Sequence, residues 1–224
     1  ADGLAVGLRT EARQLLAADL AVEGRRPLPS DLDRAIAELP GARRADTVQL
    51  ATMAAAPGGG ASQLVELKAV GPGYPFYGAL TTAPPLPIEE LLAGERVLVA
   101  PELLPRLGLE VGDRLRLGHA ELEISGTVLA EPDRVGGLMR GSRVLVSLAG
   151  LRRAGLEGEL SRVRYTALVR LPDGTDPDEV ERAAGLIRER LGDSPYLEVE
   201  TFRDAQPNIR EGLRRAERFL GLVA

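Results

Sequence analysis

Residues 161–171 read SRVRYTALVRL, and the pattern of this stretch decides the fold class. Two basic residues, Arg164 and Arg170, fall on the face opposite a set of mainly apolar side chains. That set comprises Val163, Tyr165, Ala167, Val169 and Leu171. A two-residue period is typical of a half-buried strand, because successive side chains of a strand point to opposite faces of a sheet. The stretch therefore predicts a strand with one buried face.

A helix and a second strand are predicted to follow this strand. Asp176, Pro177 and Glu179 indicate the N-cap, first and third positions of a helix, since aspartate accepts from free amides and proline has no amide proton to lose. Apolar residues then recur at helical spacing, at Val180, Ala184, Ile187 and Leu191. Gly192 ends the helical pattern, and residues 196–202, YLEVETF, alternate again. The predicted unit is strand, helix, strand.

A similar unit occurs near the start of the chain. Leu20 and Val22 indicate a short strand, and Ser30 is predicted to cap a helix with Asp33 three residues later. The apolar stripe of this helix holds Leu32, Ile36 and Leu39. Residues 45–54, ADTVQLATMA, have strand character again. Two such units can share one sheet with both helices on one face, as in a split βαβ sandwich. We therefore predict an α+β fold.

The segment between the two units is predicted to be an insertion, from about residue 57 to 160. Its central part, residues 88–150, contains short elements that indicate a small β-rich lobe. The clearest is a hairpin over residues 113–128, in which Leu115 and Leu117 face Leu122 and Ile124. Residues 131–141, EPDRVGGLMRG, have the composition of a mobile loop.

An irregular stretch, residues 71–87, precedes this lobe. It reads GPGYPFYGALTTAPPLP and contains too many prolines and glycines for regular structure, so it is predicted to be a loop or linker between lobes. Tyr74, Phe76 and Tyr77 are three of the seven aromatic residues of the chain. One interpretation is that they seal the seam between lobes. The other is that they form an exposed contact for a partner or a lipophilic ligand.

The overall composition argues against several classes of function. A formal charge of −5 and an aromatic content of 3% do not favour nucleic-acid binding, which needs a basic surface and stacking platforms. The chain has no cysteine, which excludes disulfides, thiolate zinc sites and cysteine nucleophiles. No stretch has the roughly 18 apolar residues of a membrane span.

Residue types that could carry catalysis are sparse. The single histidine, His119, is predicted to lie at a tight turn, and the triplet Gly192-Asp193-Ser194 resembles the start of a GDS esterase signature but ends a helix. Glu121 and Glu123 alternate with leucines on the expected solvent face of a strand, which does not favour a metal site. We therefore predict no catalytic, cofactor or metal site, and binding or mechanical coupling remains.

Three stretches together resemble the extracytoplasmic domain of ABC-transporter permeases of the FtsX/MacB superfamily, most closely the YbbP-like type. They are LKAVGPGYPFYG at residues 67–78, VLVAPELLPRLGLEVGDRLRLGHAELEISGTVLAEPDR at 97–134, and RAERFLGLVA at 215–224. The resemblance implies a porter-like lobe over residues 18–87 and 151–203 and a sabre-like lobe over residues 88–150. It further implies that residues 1–17 extend a first transmembrane helix and that residues 204–224 lead into a second.

The same resemblance implies a function and a location. The domain would lie on the periplasmic side of the bacterial inner membrane and would couple helix motion, driven by a separate cytoplasmic ATPase, to the handling of a hydrophobic or lipid-like substrate. Two alternatives are a docking module for a periplasmic esterase or thioesterase, and a domain of a lipoprotein-release permease. A lipid-ester hydrolase using Ser194 and His119 is the enzymatic alternative. The docking alternative would use Tyr74, Phe76 and Tyr77.

Overall fold

The computed structural model describes residues 2–134, 141–157, 162–192 and 194–204, and its main feature is one large mixed sheet. Its helices are α1 (Asp2–Leu16), α2 (Ser30–Ala37), α3 (Ile88–Leu91), α4 (Leu103–Leu107), α5 (Leu148–Ala154) and α6 (Pro177–Leu191). Its strands are β1 (Leu20–Gly24), β2 (Arg43–Ala55), β3 (Ser62–Val70), β4 (Thr81–Ala83), β5 (Arg96–Val99), β6 (Arg114–Leu117), β7 (Ala120–Ala130), β8 (Ser142–Ser147), β9 (Arg164–Arg170) and β10 (Leu197–Thr201).

The two predicted βαβ units share this sheet. The strand order begins β10-β1-β9-β2, and β9 pairs antiparallel with both β1 and β2. β1 and β2 therefore run parallel with β9 between them, which is the split βαβ arrangement. Helices α2 and α6 pack on one face of these strands, in an apolar cluster that includes Leu20, Val22, Leu32, Ile36, Val169, Val180 and Ile187. The predicted α+β core is confirmed.

Helix α6 begins as predicted, whereas α2 begins differently. Asp176 Oδ1 accepts from the amides of Asp178 and Glu179 at 2.8 Å each, and the Asp176 amide donates to Glu179 Oε2 at 3.0 Å. In α2 the prediction of Ser30 as the N-cap is wrong. Pro29 holds that position with extended backbone, and no side chain caps the helix. Acidic residues in the first turn of α2 instead complement the helix dipole.

The strands of the inserted segment close a barrel with the core strands. β8 pairs parallel with β3, and β6 pairs with the far end of β2, where Ala54 lies opposite Leu117. Within the described residues, β2, β3, β8, β5, β7 and β6 thus form a closed ring. Its interior is filled by Val48, Leu50, Val65, Leu67, Val97, Val99, Leu115, Leu117, Leu122, Ile124, Val144 and Val146. The predicted hairpin is confirmed, with Leu115 opposite Leu122.

The opposite face of the sheet is covered by the end of α1 and by the irregular stretch that follows β3. A third apolar cluster lies there, containing Ala17, Ala18, Ala45, Val70, Tyr74, Leu91, Leu92, Leu98, Leu145 and Leu168. No helix among the described residues is both long and apolar enough to span a membrane. Most of the predicted loop at 131–141 and of the predicted helix at 204–224 lies outside the described residues.

Candidate functional site: a strap between two charged clusters

Residues 71–78, which we call the strap, lead out of β3 across the covered face of the sheet. The Gly71 amide donates to Asp46 O at 2.8 Å, and the Phe76 amide donates to Ala17 O, just beyond α1, at 3.1 Å. Gly78 has φ of +78°, and a Cβ there would collide with Pro132. Only glycine suits both the left-handed backbone and this close approach. The strap is thus held between α1 and the segment that follows β7.

The first charged cluster, which we call the ionic cluster, surrounds Tyr74. The Tyr74 side chain is 2% exposed, and its hydroxyl donates to Asp133 Oδ1 at 2.6 Å. Lys68 Nζ donates both to the Tyr74 hydroxyl and to Asp133 Oδ2, each at 2.6 Å. Burial and the neighbouring Asp133 carboxylate raise the pKa of Tyr74 above its ordinary value. The hydroxyl therefore stays protonated and remains a donor.

The ionic cluster continues along the sheet to β8. Arg143 Nε donates to Glu131 Oε1 at 2.6 Å, and an Arg143 terminal nitrogen lies 3.3 Å from Glu66. Glu131 Oε2 also lies 3.5 Å from Lys68 Nζ, and the side chains of Lys68 and Glu131 are each 1% exposed. Charges buried this far are costly unless each has a partner. The cluster therefore joins β3, β8 and the end of β7 as one set.

The second charged cluster, the α1 anchor, surrounds Asp19, which is 1% exposed. Asp19 Oδ1 lies 2.8 Å from Arg13 Nε of α1, and Oδ2 accepts from the Tyr77 hydroxyl at 2.9 Å. The same Oδ2 accepts from the Leu171 amide, at the end of β9, at 2.8 Å. Asp19 therefore connects α1, the strap and the sheet.

Aromatic rings complete the α1 anchor. The Arg13 guanidinium lies 4.9 Å from the centre of the Phe202 ring and 5.6 Å from that of Tyr77, and Arg170 lies 5.4 Å from the Tyr77 ring. Such contacts attract a cation to the ring face. Burial, followed by the Asp19 carboxylate, raises the pKa of Tyr77 to about 12. The Tyr77 hydroxyl is therefore a donor at neutral pH.

The three aromatic residues singled out in the sequence are thus close together but differently placed. Tyr74 is buried, whereas Phe76 and Tyr77 are partly exposed. Phe76 packs against the third apolar cluster and lies under Arg43, 5.6 Å from the guanidinium to the ring centre. A partner could reach Phe76 and Tyr77 in this conformation, but not the side chain of Tyr74.

Sequence reasoning missed the charged partners of these aromatic residues. Glu66 and Lys68 alternate with Val65, Leu67 and Ala69 along β3, which is typical of a strand with one solvated face. That face is instead covered by the strap. The available signal was that Lys68 lies shortly before an irregular stretch that contains Tyr74 and Tyr77, whose hydroxyls can accept a hydrogen bond from a lysine.

The residues considered for catalysis are placed apart. His119 is exposed in the β6–β7 turn, where its amide donates to Ala154 O at 3.0 Å. Ser194 follows α6, and its amide donates to Gly192 O at 2.8 Å. Glu121 and Glu123 are exposed on β7. Among the described residues, no hydrogen bond or ion pair connects any two of these side chains.

Two cavities lie beside the sheet. A cleft of about 340 Å³ opens on the helix-bearing face between the βαβ core and α5. Its walls combine apolar side chains such as Leu28 and Leu148 with charged ones such as Asp46 and Arg152. A smaller pocket of about 200 Å³ adjoins the strap and α3, and it is lined mainly by apolar groups of Val70, Ile88 and Leu92.

Comparison with known proteins places this architecture in a family. Residues 5–185 match the MacB-like periplasmic core domain. The uncharacterized ABC transporter permease YbbP of Escherichia coli (strain K12) is 34% identical over 166 residues, which cover 73% of this chain and 20% of that protein. The chain thus spans about a fifth of the length of this curated relative. The chain belongs to the MacB-like periplasmic core domain family.

Two solved structures with the same fold are domains of transporters. The periplasmic region of MacB from Actinobacillus actinomycetemcomitans has a TM-score of 0.57 at 10% identity, covering 88% of this chain and 95% of that one. The extracellular domain of the noncanonic ABC-type transporter YknZ from Gram-positive bacteria has a TM-score of 0.51 at 11% identity, covering 81% and 100%. At these identities the likeness shows the fold alone. Together with the family match, it describes a periplasmic domain of a MacB-type ABC transporter permease.

Proposed function

We propose that the domain couples ATP-driven motion of membrane helices to the handling of a hydrophobic or lipid-like substrate on the periplasmic side of the inner membrane. In this proposal the domain itself catalyses nothing, and a separate cytoplasmic subunit hydrolyses ATP. The family match and the permease relative support the setting. The division into a porter-like lobe, residues 18–87 and 151–203, and a sabre-like lobe, residues 88–150, remains part of the proposal. The closed strand ring contains strands of both lobes.

The observation that carries the proposal is the attachment of α1 through Asp19. A 15-residue helix is about 22 Å long at 1.5 Å per residue. Its last turn is tied to the sheet by an ion pair between Arg13, whose side chain is 27% exposed, and the buried Asp19. Removing one partner of such a pair leaves an uncompensated buried charge, which makes detachment costly. When α1 moves, the sheet is therefore expected to move with it, because separating Arg13 from Asp19 is more costly.

The apolar pocket beside the strap supports the hydrophobic nature of the substrate. Its volume of about 200 Å³ lies below the roughly 300–1,000 Å³ of pockets that enclose a drug-sized ligand. It can therefore hold part of an alkyl chain. Because Gly71 and Pro72 form one wall, a shift of the strap changes the shape of the pocket.

The proposal is tested by hydrogen exchange in the longer permease, assembled with its ATPase in lipid. Binding of ATP to the ATPase is expected to change exchange at the Phe76 amide, whose acceptor is Ala17 O beside α1. The amides of β6, which pairs with β2 and β7 in the strand ring, serve as the internal control. Unchanged exchange at the α1 end in the presence and absence of ATP would contradict the coupling function.

A second candidate function is docking of a periplasmic esterase or thioesterase, which the partial exposure of Phe76 and Tyr77 favours. Replacing both by alanine is expected to abolish capture of such a hydrolase in a pull-down with the purified partner. The matched control is Tyr196→Ala, because Tyr196 is 56% exposed and lies outside the strap. Equal capture by the double variant would remove the strap from any docking role.

A further inference from the structure

We infer that the strap is a tight mechanical link, so that a displacement of α1 reaches residues 131–133, between β7 and β8. This inference deepens the proposed function and rests on it for its role in transport. The link itself is a property of this chain and can be measured without membrane, ATPase or substrate.

The strap contacts both structures that it is inferred to join. On one side, the Phe76 amide bonds to Ala17 O, and the Tyr77 hydroxyl bonds to Asp19 in the α1 anchor. On the other side, the Tyr74 hydroxyl bonds to Asp133. Gly78 lies between the two, since a Cβ there would meet Pro132 and would lie 3.7 Å from Gln14 Cγ of α1. The strap therefore fills the gap between α1 and residues 131–133.

The chain between the two anchoring residues of the strap, Tyr74 and Tyr77, is short. Tyr74 and Tyr77 are three residues apart, and three residues span at most about 11 Å when fully extended. Pro72 and Pro75 restrict the backbone further, because the proline ring fixes φ. An α1 displacement of several ångströms therefore has two outcomes. Either residues 131–133 follow, or one hydroxyl bond breaks.

The coupling between α1 and residues 131–133 acts in both directions. If α1 biases the position of residues 131–133, then a ligand or partner that moves those residues biases α1 by the same free energy. Lys68 strengthens the connection, since it bonds to both Tyr74 and Asp133. The ionic cluster thus carries the displacement into β3 and, through Arg143, into β8.

The four tyrosines of the chain provide a matched test. Tyr74→Phe and Tyr77→Phe each remove one hydroxyl at one end of the strap. Tyr165→Phe removes a hydroxyl that bonds to Glu157, away from the strap. Tyr196→Phe removes the hydroxyl of an exposed tyrosine and serves as a second control. Each variant and the relevant double variants are compared in the urea midpoint of unfolding.

A tight link predicts that the two strap substitutions are not additive. Once one anchor is released, the other holds a strap that is already free, so the double variant loses less than the sum of the single losses. The control pair, Tyr74→Phe with Tyr165→Phe, is expected to be additive, and Tyr196→Phe to leave the midpoint unchanged. Equal additivity in both pairs would overturn the inference.

Hydrogen exchange gives the second readout. In Tyr74→Phe, the Phe76 amide is expected to exchange about tenfold faster, which corresponds to losing one hydrogen bond to a charged acceptor. Unchanged exchange at Phe76 would also overturn the link. Unchanged exchange in Tyr74→Phe would contradict the link but not the proposed coupling function. Conversely, a permease that shows no exchange response to ATP would contradict the coupling function but not the link.

Discussion

Lys68 is the residue on which the ionic cluster depends. It is the only cation within bonding distance of Asp133 among the described residues, and its side chain is 1% exposed. Within the described part of the chain, Arg143 forms ion pairs with Glu131 and Glu66 but not with Asp133. Without Lys68, Arg143 would be the one cation of the ionic cluster left to balance the carboxylates of Glu66, Glu131 and Asp133.

Lys68→Met is therefore expected to lower the free energy of unfolding by about 3–5 kcal/mol, the range for removing one partner of a buried pair. The measurement is urea unfolding at neutral pH. Arg114→Met is the control, because Arg114 pairs with Glu95 at 3.9 Å on the surface, where such pairs contribute less than about 1 kcal/mol. Equal losses in the two variants would show that Lys68 is not a member of a cooperative buried set.

At the scale of single elements, α6 illustrates how local sequence fixes a helix end. Asp176 accepts from two main-chain amides, and the bonds from Glu179 and Asp178 lower the pKa of the Asp176 carboxyl below its ordinary value of 3.8. A carboxyl whose pKa is lowered on folding stabilises the fold above its unfolded pKa. That contribution is lost as the pH falls through the folded pKa.

Asp176→Asn keeps a capping oxygen but removes this titration. The wild-type protein is expected to be more stable than the variant at pH 6, and the difference is expected to shrink as the pH falls below 3.8. Thermal melts across this pH range measure the effect. A difference that is the same at pH 6 and at pH 3 would show that the charge of Asp176 does not contribute to the cap.

The sequence predicted the elements built by such local signals and missed those built by distant contacts. The split βαβ core follows from periodicity in residues 20–54 and 163–202 and from the Asp176 cap. Closure of the strand ring could not be predicted from periodicity. It depends on the pairing of Ala54 with Leu117, which are far apart in the chain, and such a pairing produces no periodic pattern in the sequence. The ionic cluster was not predicted for the same reason, since Lys68 and Asp133 are 65 residues apart in the chain.

At the scale of the whole molecule, the sheet is continuous from β10 through β2 and β3 into the ring. The inserted strands are therefore hydrogen-bonded to the strands of the βαβ core and are not attached to it by a flexible linker alone. Such a sheet moves as a unit more readily than it bends at a single joint. The strap adds a second connection on the covered face, between α1 and the end of β7.

The most direct test of this account is the response of Arg134 to ATP in the longer permease. This chain has no cysteine, so Arg134→Cys supplies the one thiol of the domain for a spin label. Arg134 is exposed and follows Asp133. ATP binding is expected to change the label's mobility in the wild-type background and in Tyr165→Phe, and the change is expected to be lost in the Tyr74→Phe/Tyr77→Phe double variant. A label that ignores ATP in the wild-type background, or that responds equally in the double variant, would contradict this expectation.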